Sequence, residues 1–202
     1  MKLTGMWLVR LLAALALLGG GAVLSAGSAQ ASTDSAARTT DSVHIMSTLS
    51  ICANSTVPDG WVITSIYTTN SCGGYKGEVI TNSLSNGMSV CANSTIPAGW
   101  VSTQLYTTNG CGGYMAENIT NSAGTNYLSV CGNLAIPDGW VATQLYTTNG
   151  CGGYLGEVIT NRLSNGMSVC ANSTVPSGWV VTNVYQTNSC GGYLGENITK
   201  AA

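Results

Sequence analysis

Three kinds of side chain that could bind a ligand recur together four times in this 202-residue sequence, at nearly constant spacing. In each recurrence a Tyr follows a Gly-Gly pair, an Asn lies five residues before the Tyr, and a Glu lies three residues after it. A Tyr ring can stack on a pyranose face, while amide and carboxylate groups can form hydrogen bonds with its hydroxyls. The candidate ligand-binding residues are Tyr75, Tyr114, Tyr154, Tyr193, Glu78, Glu117, Glu157, Glu196, Asn70, Asn109, Asn149 and Asn188.

Each of these residue types also has a structural interpretation. For the glutamates we favour it, because their carboxylates could accept hydrogen bonds from the Gly-Gly loop or from a neighbouring strand. The tyrosines lie in loops, where binding residues concentrate, so they are the better surface candidates. The recurrent tryptophans could also stack on sugars, but we expect them to pack on the disulfides, because a thin core needs large apolar residues. These are Trp61, Trp100, Trp140 and Trp179.

Catalytic chemistry has few candidates in this sequence. The single histidine, His44, lies outside the recurrent segments, so a Ser-His or Cys-His nucleophile lacks its base. Glycoside hydrolysis needs two facing carboxylates. Each segment has one recurrent Glu, and the second acid, Asp59 or Asp138, is replaced by Ala98 and Ser177 in the other segments. We therefore expect no enzyme and no catalytic residues.

Metal, nucleic-acid and membrane binding are not indicated either. The eight cysteines include no CxxC pair, and the Asn, Asp and Glu oxygens do not form a calcium-loop signature, so we expect no metal and no cofactor. Four Lys and Arg remain after residue 31, against eight Asp and Glu. A weakly acidic chain has no electrostatic footprint for nucleic acid or for an anionic membrane.

The recurrent residues belong to four copies of one segment, which begin at Ser50, Ser89, Ser129 and Ser168. When the copies are aligned from these serines to the Asn or Lys after the Ile-Thr pair, more than half of the positions are identical in all four, including both cysteines. Such a period is typical of an architecture built from repeated supersecondary units. It predicts four repeats, at 46–85, 86–124, 125–164 and 165–202.

Each copy contains three segments with the composition of β-strands. In copy 1 the first is Leu49–Ala53, which includes Cys52, the second is Trp61–Thr69, and the third is Glu78–Asn82. A turn separates the first two, with Pro58 expected at its first central position. Alternation in the second strand predicts that Val62, Thr64 and Ile66 share one face.

Asn-Gly pairs between copies predict how successive copies are joined. Asn86-Gly87 and Asn165-Gly166 have the chemistry of a two-residue hairpin turn, and 123–126 supplies a longer loop in the same place. We therefore expect the last strand of one copy to pair with the first strand of the next. The predicted fold class is all-β: four tandem, disulfide-stapled repeats of about 39 residues each, in an antiparallel β meander after a cleaved signal peptide.

The eight cysteines predict four disulfides. The simplest scheme joins the two cysteines of each copy: Cys52–Cys72, Cys91–Cys111, Cys131–Cys151 and Cys170–Cys190. Each bond would close a loop of about 20 residues, which stabilises a small module by roughly 3 kcal/mol in the chain-entropy model. A rival scheme pairs each copy with the next and joins Cys52 to Cys190, which would close a ring. The sequence leaves both schemes open.

Residues 1–31 have the pattern of a cleaved export signal. Lys2 and Arg10 precede an apolar run from Leu11 to Leu24, and Ala29-Gln30-Ala31 has the small-x-small pattern of a cleavage site. This run is shorter than the roughly 20 residues needed to cross a bilayer, which disfavours a membrane anchor. Residues 32–45, rich in Ser, Thr and Ala, are predicted to form a disordered lead-in.

Together these patterns predict a secreted, extracellular and non-catalytic protein. Four similar modules suit multivalent binding, with an extracellular polysaccharide or cell-surface glycan as the expected partner. The alternative is a structural protein of an extracellular coat or matrix. The sequence predicts no nucleic-acid partner and no membrane insertion after leader cleavage, and it leaves self-association open.

Overall fold

The computed structural model describes residues 47–202, which form twelve β-strands in four three-stranded antiparallel sheets, one sheet for each copy. The strands are β1 Thr48–Cys52, β2 Val62–Tyr67, β3 Gly77–Thr81, β4 Met88–Cys91, β5 Trp100–Thr107, β6 Met115–Asn121, β7 Tyr127–Cys131, β8 Val141–Tyr146, β9 Gly156–Thr160, β10 Met167–Cys170, β11 Trp179–Tyr185 and β12 Gly195–Lys200. The predicted all-β class with four tandem repeats is confirmed. The signal peptide at 1–31 and the lead-in at 32–45 lie outside the described residues.

The third strand of each copy lies at the centre of its sheet, which corrects the predicted meander. The strand orders are β1-β3-β2, β4-β6-β5, β7-β9-β8 and β10-β12-β11.

The predicted pairing of the last strand of one copy with the first strand of the next is also wrong. At the first boundary, Gly87 N–H donates to the Ile119 carbonyl (2.9 Å) and Asn86 Oδ1 accepts from Asn121 N–H (2.8 Å). The Asn-Gly turn therefore leads into the sheet of its own copy.

A β-bulge interrupts the second strand of every copy and corrects the predicted alternation. In β2 the register shifts between Ile63 and Ser65, and Thr64 Oγ1 donates a hydrogen bond to the Val79 carbonyl at 3.2 Å. Because of the extra residue, Val62 and Ile63 are both buried, although they are adjacent in sequence. The equivalent threonines make the same bond with the central strand: Thr103, Thr143 and Thr182.

The turn before the second strand is displaced by one residue from its expected position. Trp61 N–H donates to the Pro58 carbonyl at 3.1 Å, so Pro58 is the first residue of the turn, and Asp59 and Gly60 are its central pair. The same bond recurs in the other three copies. This turn places each Trp at the entry to the second strand.

All four disulfides join cysteines of the same copy, as the simplest scheme predicted: Cys52–Cys72, Cys91–Cys111, Cys131–Cys151 and Cys170–Cys190. The rival scheme, with a ring-closing Cys52–Cys190 bond, is therefore excluded. Each bond joins the end of the first strand to the loop that follows the second strand. The two outer strands of a sheet are thus linked covalently as well as through the central strand.

The apolar core lies between successive copies. In one cluster, Ile63, Ile66 and Ile80 of copy 1 pack with the buried Cys91 and Cys111 of copy 2. Each of the five clusters among the described residues combines side chains of consecutive copies. Trp140 is buried in such a cluster, and the other three tryptophans are half-buried against one, which confirms their core position. Their predicted packing on the disulfides is wrong as a general rule: Trp61 and Trp140 lie in clusters with the cysteines of the next copy, and the clusters of Trp100 and Trp179 contain no cysteine.

Backbone hydrogen bonds also cross each boundary between copies. Ile66 N–H donates to the Gly110 carbonyl at 2.8 Å, and Leu105 N–H makes the equivalent bond with Gly150. The third boundary repeats it from Leu145 N–H to the Ser189 carbonyl. One sheet alone buries little apolar surface, so each copy depends on its neighbours for its core, as in solenoid proteins.

Candidate functional site

Each candidate Tyr follows a tight turn that begins at the second cysteine of its copy. In copy 1, Tyr75 N–H donates to the Cys72 carbonyl at 3.1 Å, and the central residues Gly73 and Gly74 have φ values of 58° and 94°. Positive φ at both central positions is the pattern of a type I′ turn, which Gly adopts without steric cost. The disulfide anchors one end of this turn and the backbone hydrogen bond closes it, so together they position the Tyr backbone.

The four tyrosines of these turns are exposed. Their exposed fractions are 55% for Tyr75 and Tyr114 and 51% for Tyr154 and Tyr193. The four candidate asparagines, Asn70, Asn109, Asn149 and Asn188, are exposed as well. A Thr side chain braces each Asn-containing loop, as in copy 1, where Thr69 Oγ1 accepts from Ser71 N–H at 3.2 Å. Eight of the twelve candidate residues therefore face solvent on ordered turns.

Successive tyrosines share a groove at the boundary between copies 1 and 2. This tyrosine groove is an open depression of about 610 Å³, and its lining includes Tyr75, Lys76, Glu78, Asn93 and Tyr114. Lys76 Nζ donates a hydrogen bond to the Gly112 carbonyl at 2.5 Å, which holds the ammonium group at the copy boundary. The candidate asparagines are not part of this lining. The structure thus brings two candidate Tyr and one Glu together and leaves the Asn side chains outside.

Three of the four candidate glutamates are buried at copy boundaries. Glu78, Glu117 and Glu157 have exposed fractions of 6%, 1% and 6%. Glu117 Oε2 accepts from Asn133 Nδ2, and Glu157 Oε1 accepts from Asn172 Nδ2, both at 3.0 Å. These bonds agree with the structural role favoured above, although the donor is an Asn of the next copy. In copy 4, Glu196 is half-buried.

Burial changes the proton affinity of two of these carboxyl groups. It raises the pKa of Glu78, because the charged form loses water. Burial also raises the pKa of Glu157, and the hydrogen bond from Asn172 opposes that increase by stabilising the charged form. Glu78 therefore gives the tyrosine groove an acidic group that is more readily protonated than an exposed glutamate.

Two polar side chains of the tyrosine groove were not among the candidates from sequence. Asn93 follows the first Cys of copy 2 by two residues, and it recurs in every copy without being in a Tyr loop. Lys76 is the only charged residue at its repeat position, where the other copies have Met115, Leu155 and Leu194. This departure from the repeat pattern is visible in the sequence and could have identified Lys76 as a candidate.

Further grooves lie between the Pro-x-Gly-Trp turns of consecutive copies. The one between copies 2 and 3 has a volume of about 440 Å³, and its walls include Pro97, Trp100, Ile136 and Trp140. Asp138 is the single charged residue in its lining. A sugar needs several polar groups to orient its hydroxyls, so the tyrosine groove is the better candidate site.

The described residues lack two other features that would indicate function. Between residues 47 and 202 there is no group of three or more side chains suited to holding a metal ion. The same part of the chain contains no helix with the length and apolarity needed to cross a bilayer.

Comparison with protein-family models, with curated proteins and with solved structures found no match. A functional assignment therefore depends on the geometry and chemistry of the tyrosine groove and of the equivalent Tyr turns in copies 3 and 4.

Proposed function

We propose that this protein is a secreted, non-catalytic, multivalent binding protein for an extracellular polysaccharide or a cell-surface glycan. The observation that carries the proposal is that Tyr75 and Tyr114 are both exposed and line the same groove. Two aromatic faces at one site suit stacking on sugar rings, and the Asn93 amide and Lys76 ammonium supply hydrogen bonds for hydroxyls. Tyr154 and Tyr193 stand on equivalent turns in copies 3 and 4.

The stacking of the copies supports multivalent binding. Backbone hydrogen bonds and shared cores join each copy to the next, so the exposed tyrosines are held at fixed separations. A polymer with a regular repeat can then contact several copies at once. Linked weak sites can exceed the affinity of one site by about 10²–10⁴-fold through effective concentration alone.

Export is supported by the leader and by the disulfides. The basic residues, apolar run and cleavage-site pattern within 1–31 match a signal peptide. Four disulfides form among the described residues, with no free cysteine there, and such bonds persist in oxidising compartments.

A glycan array followed by titration calorimetry tests the binding proposal. Wild-type protein should bind a defined set of glycans, and the fourfold variant with Ala at positions 75, 114, 154 and 193 should lose that binding. Tyr127→Ala is the matched control, because Tyr127 is 61% exposed but lies outside the Gly-Gly-Tyr turns. This control should bind like wild type, and circular dichroism and thiol counting should show all proteins folded and oxidised.

Two results would contradict the binding proposal. A folded fourfold variant that binds as well as wild type would place the glycan elsewhere. A fourfold variant that fails to fold would show that the tyrosines are structural, and the corresponding fourfold Phe variant would then separate lost packing from lost hydroxyl groups.

A second candidate function is a structural protein of an extracellular coat or matrix. One observation favours it: Val180, Val181 and Val184 of the last copy are exposed, whereas the side chains at the same three positions are buried in every other copy.

A further inference from the structure

One strand position is buried in three copies and exposed in the fourth. Ile66, Leu105 and Leu145 have exposed fractions of 7%, 5% and 5%, because the following copy covers each of them. Val184 occupies the same position in copy 4, and it is 51% exposed. All four side chains are aliphatic, so the difference reflects the covering copy, which follows copies 1 to 3 but not copy 4 in the described part of the chain.

The exposed position is part of a larger apolar surface on copy 4. Val180 is 47% exposed, Val181 41% and Leu194 39%, and together with Val184 they form what we call the end face. At the first two positions copy 1 has Val62 and Ile63, which are almost completely buried. Exposed aliphatic patches on secreted proteins commonly mark interaction sites.

Copy 1 carries the complementary surface, and within residues 47–202 none of the other copies covers it. A Cβ added at Gly112 would lie 2.7 Å from Ile66 Cγ2 of the preceding copy, whereas a Cβ at Gly73 would meet nothing within 4 Å. The Cys52–Cys72 disulfide is half-exposed, whereas the other three disulfides are buried. Cys52, Asn54, Ser71, Cys72 and Gly73 form what we call the start face.

The polar groups of the two faces are complementary as well. At the inner boundaries a strand N–H donates to the carbonyl of the residue before the second cysteine, and in copy 1 that carbonyl belongs to Ser71. The buried Glu117 and Glu157 accept from the Asn two residues after the next copy's first cysteine. This side-chain bond forms at two of the three boundaries. The corresponding groups at the two ends of the stack are Val184 N–H and Glu196 in copy 4, and the Ser71 carbonyl and the exposed Asn54 in copy 1.

We propose that the start face of a second chain docks on the end face of the first and continues the stack of copies across the junction. In this arrangement Val184 N–H donates to the Ser71 carbonyl of the second chain, Asn54 of that chain donates to Glu196, and the Val184 side chain covers Gly73. The partner is a second copy of this chain, because the boundary reproduces one already formed three times within the protein. Such a head-to-tail contact joins different surfaces and therefore generates an open filament unless it closes into a ring.

Sedimentation velocity over a wide concentration range, on oxidised protein expressed from the full sequence, tests the proposal. Wild-type protein should form a series of oligomers that grows with concentration. Val184→Glu places a charge on the end face, and Gly73→Asn places a side chain on the start face, where the left-handed φ suits Asn. Each variant should remain monomeric at all concentrations. Gly74→Asn is the matched control, because a Cβ at this position and at its equivalents in the other copies contacts nothing, and it should assemble like wild type.

Mixing the two blocked variants gives the sharpest result. The Val184→Glu protein keeps an intact start face and the Gly73→Asn protein keeps an intact end face, so an equimolar mixture should form a dimer and nothing larger. Wild-type protein that stays monomeric, or that stops at a dimer, would overturn the proposal. Wild-type assembly that both variants retain would overturn it as well.

Hydrogen exchange identifies what covers the end face. If a second chain covers it, protection of the Val184 amide should rise with protein concentration and should disappear in Gly73→Asn. Strong protection that is independent of concentration would assign the end face to a segment of the same chain and would overturn the proposal. These measurements need no glycan, so their outcome is separate from that of the binding proposal.

Discussion

The side-chain amide of Asn172 donates a 3.0 Å hydrogen bond to Glu157 Oε1, and this bond joins copy 4 to copy 3. Asn133 and Glu117 make the same contact one boundary earlier. Both glutamates are buried, so the bond offsets part of the cost of removing a carboxylate from water. Asn172 and Glu157 meet only when the two copies are correctly aligned. Their hydrogen bond therefore favours the observed stacking register over shifted registers.

Asn172→Ala should lower the free energy of unfolding by about 1–3 kcal/mol, because the buried Glu157 loses its hydrogen-bond donor. Asn54→Ala removes the same side chain from the exposed start of copy 1 and should change stability by less than about 0.5 kcal/mol. Denaturant titration of both variants in dilute solution measures the difference. Equal losses would mean that this Asn acts within its own copy and not across the boundary.

The raised pKa of Glu157 predicts how stability depends on pH. In the folded chain burial favours the protonated form, so this group contributes stability below the ordinary pKa of 4.5 that it has in the unfolded chain. That contribution is lost as the pH rises through the folded pKa. Glu157→Gln has no such titration, so its melting temperature relative to wild type should increase as the pH is raised from below the unfolded pKa toward neutrality. A constant or falling difference between the two melting temperatures would show that the folded pKa is not raised.

Because the cores are shared between copies, truncating the side chain at one repeat position should cost different amounts of stability in copies 3 and 4. Leu145→Ala should cost about 2–5 kcal/mol of unfolding free energy, because Leu145 is buried between copies 3 and 4. Val184→Ala truncates the same repeat position in copy 4, and it should cost less than about 0.5 kcal/mol in dilute protein because Val184 is half exposed. Denaturant titration compares the two, and similar costs would argue against a core that lies between copies.

Differences in burial predict the order in which the disulfides are reduced. Cys52 and Cys72 are partly exposed, whereas the cysteines of the other three disulfides are buried under a preceding copy. Dilute protein can be treated briefly with a limiting amount of reductant and then alkylated. Peptide mapping should show that Cys52 and Cys72 are labelled first. Opening the loop that this bond closes removes roughly 3 kcal/mol of stabilisation from copy 1 in the chain-entropy model. Preferential labelling of Cys170 and Cys190 would be the contrary result.

Features of the fold that depend on nearby residues could be predicted from the sequence. The strands of copy 1 lie close to their expected limits, because β-branched runs bounded by Pro, Gly and Asn determine them locally. The disulfide pairing is the simpler of the two schemes that the repeat left open. The strand order could not be predicted, because the Asn-Gly turn specifies a reversal of the chain but not which strand lies beside the next one. The bulge at Thr64 was missed because Thr also suits a regular strand.

The candidate site was predicted in part for a similar reason. Tyr75 and its equivalents are exposed because a rigid local turn, visible as Cys-Gly-Gly-Tyr, positions them. The burial of Glu117 depends on Asn133, which belongs to the next copy. A single copy read by itself gives no indication of such a contact. The tyrosine groove likewise exists only where two copies meet.

The central position of the third strand determines the order in which the chain can fold during synthesis. When β1 and β2 have left the ribosome, neither has a strand to pair with, because in the described sheets each bonds to β3. A sheet can therefore form only after the last residues of its copy have emerged. The copy synthesised next then covers the apolar face that its predecessor exposes, so the direction of translation coincides with the direction in which the stack grows.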